Sequence, residues 1–243
     1  MTEYEEKAME ELAAWQKKMK NFPVLFGDIP KKIQNRINRM IPEKIHMAFT
    51  TAIKQTTRAV IFGSGFITGK PLADATLEER EVKVKQRIKI YKNTAATEGA
   101  LTGAGGILLG LADFPLWLTL KMKMLHEIAS LYGYDVKEYK ERIYLLYIFQ
   151  LTFSSHRERK KVLEMLEDWG HQENTLPENI NEFDWRTFQL EYRDYIDVAK
   201  LLQLVPGIGA PIGAYVNHRL TKKLGVAAMN AYRMRWKSQK MLN

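Results

Sequence analysis

The chain has 243 residues, 46% of them hydrophobic and 27% charged, a composition typical of a protein that buries a sizeable core. It contains no cysteine, which excludes disulfide bonds and thiolate chemistry. The formal net charge is +9, yet the first residues, MTEYEEKAMEEL, are acidic and amphipathic, unlike the basic and then apolar order of a signal peptide. We therefore expect a cytoplasmic protein.

Charge is unevenly distributed along the chain. Residues 31–60 hold seven Lys and Arg against one acidic residue, and residues 201–243 hold seven against none, whereas residues 171–200 hold three against seven. Such segregation predicts basic faces directed at an anionic partner. The candidate contacts are on two segments: Lys31, Lys32, Arg36 and Arg39, and then Lys222, Lys223, Arg233 and Lys237.

The first half of the chain predicts amphipathic helices. Residues 3–19 place Tyr4, Ala8, Leu12, Trp15 and Met19 on one helical face. Two basic helices are expected near 31–40 and 43–62, separated at Pro42. A capping box, Thr76 to Glu79, predicts a helix that begins near residue 77, although the Val82 to Ile90 region alternates as a strand would.

The central stretch from Gly99 to Leu120, GALTGAGGILLGLADFPLWLTL, is apolar or small apart from Asp113. Gly99 and Gly103, and Gly106 and Gly110, stand four residues apart and so share a helical face. Because glycine costs a helix up to about 1 kcal/mol relative to alanine, this face predicts close packing against another backbone. We expect helices over 94–112 and 114–132, with Asp113 as the cap between them.

The last third continues the helical pattern. The uncharged run 143–155 predicts a buried helix, a second capping box at Ser155 begins the next helix, and Gly170 is expected to end it. Asp184 is expected to cap a further helix, to about 205. The final helix begins near Pro211 and buries Val216, Leu220, Leu224, Ala227, Ala231 and Met234. Its Gly209 and Gly213 face is the predicted partner of the Gly99 to Gly110 face.

These patterns together predict an all-α protein forming a single domain over residues 1–243, organised around two glycine-rich apolar helical segments. Neither apolar run of the central stretch, in the helices expected over 94–112 and 114–132, reaches the roughly 20 residues that span a bilayer, and Asp113 and Pro115 lie at their junction. We therefore favour a buried helical hairpin over a transmembrane span.

Two blocks of the sequence resemble a known family. TGAGGILLGLADFPLWLTLKMKMLHEIASLYGYD (102–135) and VPGIGAPIGAYVNHRLTKKLGVAAMNAYR (205–233) are similar to the two characteristic blocks of the EcsC family of bacterial proteins. The resemblance implies an all-helical protein and a family named for a gene that neighbours the subunits of an ATP-binding-cassette (ABC) transporter. It supplies no catalytic residues.

No motif assigns chemistry to the chain, so we predict no catalytic, cofactor-binding or metal-binding residues. GSGFITGK (63–70) lacks the first glycine, the final Ser or Thr and the preceding strand of a phosphate-binding loop. The five histidines are not in ligand spacing. Asp113 is a helix cap in one interpretation and a functional acid in the other.

Two hypotheses for function follow. The first is a non-catalytic accessory protein, peripheral at the inner face of the cytoplasmic membrane, with an anionic membrane surface or a transporter subunit as its partner. The alternative is an enzyme or carrier for a lipid-like substrate bound between the glycine-faced helices. Nucleic acid is disfavoured as a partner, because no base-stacking or zinc signature accompanies the basic residues.

Overall fold

The computed structural model describes residues 1–21, 69–104, 114–154, 156–176 and 209–242, together with isolated positions between 51 and 59. The regular elements in these ranges are all helical, as predicted. We number them in chain order: α1 (Glu3–Asn21), α2 (Leu77–Ala104), α3 (Phe114–Leu131), α4 (Tyr139–Phe153), α5 (His156–Glu167), α6 (Trp169–Gln172) and α7 (Gly209–Leu242).

Helix α2 begins at the predicted capping box. The Thr76 backbone N–H donates to Glu79 Oε2 (2.8 Å), and the Glu79 N–H donates to Thr76 Oγ1 (3.2 Å), so two free donors are satisfied. The strand-like alternation of residues 82–90 does not produce a strand. The buried side chains follow a helical period through Glu81, Val84 and Ile88, while Ile90 stays exposed.

Two predicted helix ends are wrong. No boundary occurs near residue 94, because α2 continues without interruption from Leu77 to Ala104. The helix expected to end at Gly170 ends at Glu167, and Gly170 lies inside the short helix α6. The predicted stop after α3 is confirmed: Gly133 has φ of 90°, a left-handed conformation that glycine adopts without strain.

The core is built around α4 and the carboxyl-terminal part of α7. Nearly every residue of α4 from Ile143 onward is buried, as expected from its uncharged run. The six residues predicted to face inward on α7 are also all buried. The ring of Tyr232 on α7 packs against the rings of Tyr132 and Tyr144, with centroids 5.0 Å and 5.4 Å away.

The predicted contact between the glycine faces of α2 and α7 is confirmed at Gly99 and Gly213. Helix α7 packs along α2 more extensively than any other described pair of helices. A Cβ atom added to Gly99 would lie 2.7 Å from the carbonyl carbon of Gly213 and 2.7 Å from Asn217 Nδ2. The two backbones therefore touch, which only glycine permits. Gly106 and Gly110 lie outside the described residues.

Further predicted elements also lie outside the described ranges: the basic helix near 31–40, most of the helix near 43–62, the Ser155 cap and the helix after Asp184. Within the part of the chain that the structure describes, no helix is both long enough and apolar enough to cross a membrane.

Candidate functional site

A cleft of about 390 Å³ lies where α1, α4, α5 and α7 meet. We call it the basic cleft, because half of its lining side chains are Lys or Arg and its described lining contains no carboxylate. It is lined by Trp15, Lys18 and Met19 of α1, Thr152 of α4, Arg159 of α5, and Arg219, Lys222, Lys223, Val226 and Ala227 of α7.

Helix α7 supplies half of this lining. Arg219, Lys222, Lys223 and Val226 follow the spacing i, i+3, i+4 and i+7, which places them on one helical face. The Arg219 guanidinium donates to the hydroxyl of Tyr215 one turn earlier (2.7 Å), which fixes the direction of its side chain. The sequence of α7 therefore delivers three basic side chains to the cleft.

Lys223 contacts the end of α4. Its Nζ donates to the carbonyl oxygen of Thr152 (2.6 Å). This carbonyl belongs to the last turn of α4, where carbonyl groups have no N–H partner within the helix and a positive charge is favourable. Burial, together with the neighbouring Arg159 and Arg219, lowers the pKa of Lys223 to about 7.

Helices α1 and α5 supply further lining residues. Arg159 is 3% exposed, and Lys18 lies in the last turn of α1. Helix α1 is held against α5 by Glu167, which accepts hydrogen bonds from Gln16 Nε2 (2.7 Å) and Lys20 Nζ (3.0 Å). These contacts fix Trp15 and Met19 as the apolar part of the lining.

The basic cleft can bind an anion that carries an apolar portion. Like charges gathered at a concave surface raise the local concentration of anions, and apolar walls strengthen that field. The described lining offers no acid and base pair for proton transfer. Among the described residues, no group of three or more His, Asp and Glu is arranged to hold a metal ion.

The structure brings together two of the predicted contact residues, Lys222 and Lys223, in this cleft. Lys237 is exposed near the far end of α7. The remaining predicted residues, Lys31, Lys32, Arg36, Arg39 and Asp113, lie outside the described residues and stay predictions.

The prediction that Arg233 contacts an anionic surface from an outward position is wrong. Arg233 is 1% exposed, and its Nε and Nη2 donate to the two carboxylate oxygens of Glu81, each at 2.6 Å. Its Nη1 also lies 2.9 Å from a carboxylate oxygen of Glu11. A buried guanidinium paired in this bidentate way has no free charge to offer a partner.

Three of the five basic lining residues were not predicted from the sequence as contacts: Lys18, Arg159 and Arg219. Arg219 shares the i, i+3, i+4 spacing with Lys222 and Lys223, which would have revealed it. Arg159 precedes Val162 and Leu166 on the inward face of α5, an unusual place for a charge. No local signal distinguishes Lys18 from the neighbouring lysines at the end of α1.

The buried histidine His126 does not line the cleft. His126 is 1% exposed, and its Nδ1 lies 2.8 Å from the Met122 carbonyl oxygen. Burial lowers its pKa to about 4, so the ring is neutral at physiological pH. It is a buried core residue.

The fold and site define an all-helical protein with a concave basic surface. Residues 6–236 match the model of the EcsC protein family, and the chain belongs to that family. It is 42% identical over 228 residues to Protein EcsC of Bacillus subtilis (strain 168), an alignment that covers 93% of this chain and 94% of the relative.

A second relative is more distant. The Uncharacterized protein YdbA of the same organism is 35% identical over 144 residues, which covers 59% of this chain and 53% of the relative. No solved structure matches the chain.

Proposed function

We propose that this protein is a non-catalytic accessory protein that binds reversibly to the anionic inner face of the cytoplasmic membrane through the basic cleft and its rim. The observation that carries the proposal is the convergence of five basic side chains from three helices on one concave surface. A membrane transporter is the proposed protein partner there, following the resemblance of the sequence blocks.

The expected strength of attachment follows from the charges. Each Lys or Arg close to an anionic membrane contributes about 1 kcal/mol, and the attraction decays within a Debye length of about 8 Å at physiological ionic strength. Several contacts therefore suffice for binding that salt reverses. The apolar lining adds area that a lipid can cover.

The alternative, an enzyme or carrier with its substrate between the glycine-faced helices, has less support. Around Gly99 and Gly213 the two backbones are in contact, so this level of the interface has no room for a ligand. The apolar walls of the basic cleft support a lipid-like ligand at the cleft instead of between the glycine-faced helices.

Co-sedimentation with vesicles tests the proposal. We expect the protein to bind vesicles that contain phosphatidylglycerol, to leave neutral phosphatidylcholine vesicles unbound, and to be released by high salt. The double variant Arg219→Glu and Lys222→Glu reverses two charges at the cleft and should weaken binding about tenfold or more.

The matched control reverses two exposed lysines of α2, Lys83→Glu and Lys89→Glu, which gives the same net charge. It should retain most of the binding, because these residues do not line the cleft. An equal loss in both variants would show that only net charge matters. Equal binding of the unmodified protein to neutral vesicles would exclude the electrostatic mechanism altogether.

A further inference from the structure

We infer that the basic cleft is a specific site for the phosphomonoester headgroup of a membrane lipid, of the phosphatidic acid type, whose first chain segment lies against the apolar wall. The inference rests on the proposed function, in that it names the lipid that the membrane-facing cleft selects. In addition to the general attraction between the protein and the membrane surface, the cleft binds one lipid headgroup per protein molecule.

The arrangement of charges favours a phosphomonoester. Arg159, Arg219 and Lys223 line the same cleft, so their like charges repel one another. An anion between them would relieve this repulsion, and a doubly charged one would relieve it most. A phosphomonoester carries between one and two negative charges at neutral pH, whereas a phosphodiester carries one.

The hydrogen-bond donors also match. A guanidinium presents paired N–H groups that suit two phosphate oxygens at once, and a lysine ammonium binds phosphate as a compact point charge. The cleft holds both kinds of donor on different helices, so an anion between them is approached from more than one side. The third oxygen of a monoester gives these donors one more acceptor than a diester has.

The apolar lining distinguishes a lipid from free phosphate. Met19 and Ala227 are buried, and Trp15 and Val226 are partly buried, so one part of the cleft offers hydrocarbon instead of polar groups. A volume of about 390 Å³ lies in the range of small-molecule sites and admits a headgroup with the beginning of an acyl chain. Inorganic phosphate would use the basic part alone.

Calorimetric titration with short-chain lipids below their micelle concentration tests this inference without a membrane. We expect dihexanoyl phosphatidic acid to bind one to one and at least tenfold more tightly than dihexanoyl phosphatidylglycerol. Inorganic phosphate should bind at least tenfold more weakly than the phosphatidic acid, and dihexanoyl phosphatidylcholine should give no signal. Equal affinity for the two anionic lipids, or for phosphate and phosphatidic acid, would overturn the inference.

Two matched variants locate the site. Lys223→Met and Lys237→Met each remove one positive charge, but only Lys223 lines the cleft. Lys223→Met should weaken phosphatidic acid binding at least tenfold, and Lys237→Met should change it less than twofold. An equal effect of the two variants would place the binding elsewhere.

A third variant probes the chain-binding wall independently of charge. Val226→Trp fills the apolar part and should weaken phosphatidic acid binding while leaving phosphate binding unchanged; an unaffected lipid affinity would contradict the assigned chain position. Thermal melting of each variant checks folding.

If vesicles bind but the short-chain lipid does not, this inference fails and the proposed function stands. If the short-chain lipid binds and vesicles do not, the proposed function fails instead.

Discussion

The two halves of helix α7 carry similar numbers of basic residues but use them differently. In the amino-terminal half, Arg219, Lys222 and Lys223 line a cleft whose described lining contains no carboxylate. In the carboxyl-terminal half, Arg233 pairs with Glu81, and Arg235 pairs with Glu141. Lys240 pairs with Glu5 on the surface. The first group faces the open cleft and the second group holds the protein together.

The comparison shows that neither charge nor helical position alone identifies a binding residue. Lys222 and Arg233 are eleven residues apart, roughly three helical turns, so they lie on the same flank of α7. At one end this flank borders an open cleft. At the other end Glu81 of α2 and Glu11 of α1 cover it. The neighbouring helices decide which arginine or lysine lines the cleft and which is covered by carboxylates.

The largest expected effect is at the buried pair. Glu81→Met leaves the Arg233 guanidinium 1% exposed and without its bidentate partner, which should cost about 3 kcal/mol or more of unfolding free energy. Urea denaturation measures this. The double variant Glu81→Met and Arg233→Met removes both charges and should recover much of the loss. A single variant as stable as the unmodified protein would contradict the structural role of the pair.

A smaller loss is expected where α7 contacts α2. The contact between Gly213 and Gly99 fixes the position of α7 along α2, and so the position of its basic residues. Gly99→Ala should therefore cost about 1 to 3 kcal/mol by overpacking, despite the better helix propensity of alanine. Gly170→Ala is the control, since a Cβ atom there meets nothing within 4 Å. Equal melting temperatures for both variants would argue against the close contact.

Removing Lys223 from the cleft should raise the unfolding free energy, whereas the two substitutions above lower it. The pKa of Lys223 is lowered from 10.5 to about 7, so the unfolded chain binds the proton more tightly than the folded protein does. Stability should therefore rise with pH from about 7 to about 10, and below pH 7 the full penalty applies. Lys223→Met should stabilise the protein at pH 7 and flatten this rise. Denaturation at several pH values measures both effects, and a destabilised variant at pH 7 would show that Lys223 is structural.

The smallest effect is expected at the exposed pair. Lys240 Nζ lies 2.7 Å from Glu5 Oε2, and the lysine side chain is 46% exposed. Solvent-exposed ion pairs contribute about 0.2 to 1 kcal/mol, so Lys240→Ala should lower the unfolding free energy by less than about 1 kcal/mol. Salt should reduce the difference further. A loss as large as that of Glu81→Met would remove the distinction between the buried and exposed pairs.

The helices were predictable wherever one local pattern dominated. The capping box at Thr76, the apolar face of α1 and the inward positions of α7 all follow from spacing, because each depends on residues within a few turns. The Gly99 to Gly213 contact was also predictable, since closely spaced glycines on one face of an apolar helix indicate that a second backbone packs there.

The cleft was only half predictable, because its residues come from helices far apart in the chain. Lys222 and Lys223 were identified from the local excess of basic residues, but the partner wall at Lys18 and Arg159 depends on how α1 and α5 dock. The error at Arg233 has the same cause. Its partner Glu81 is 152 residues away, and no periodicity within α7 records it.

The attachment of α1 has a consequence for the order in which the chain folds. The hydrogen bonds and ion pairs of this first helix with other elements join it to residues 81 and 85 of α2, residue 167 of α5, and residues 233, 234 and 240 of α7. During synthesis α1 leaves the ribosome before the other described helices but meets α7 only after all the residues between them have been made, and such distant contacts are slow to form. The cleft needs both helices and therefore assembles only after α7 has been made, and limited proteolysis of chains shortened before residue 233 should find α1 cleavable.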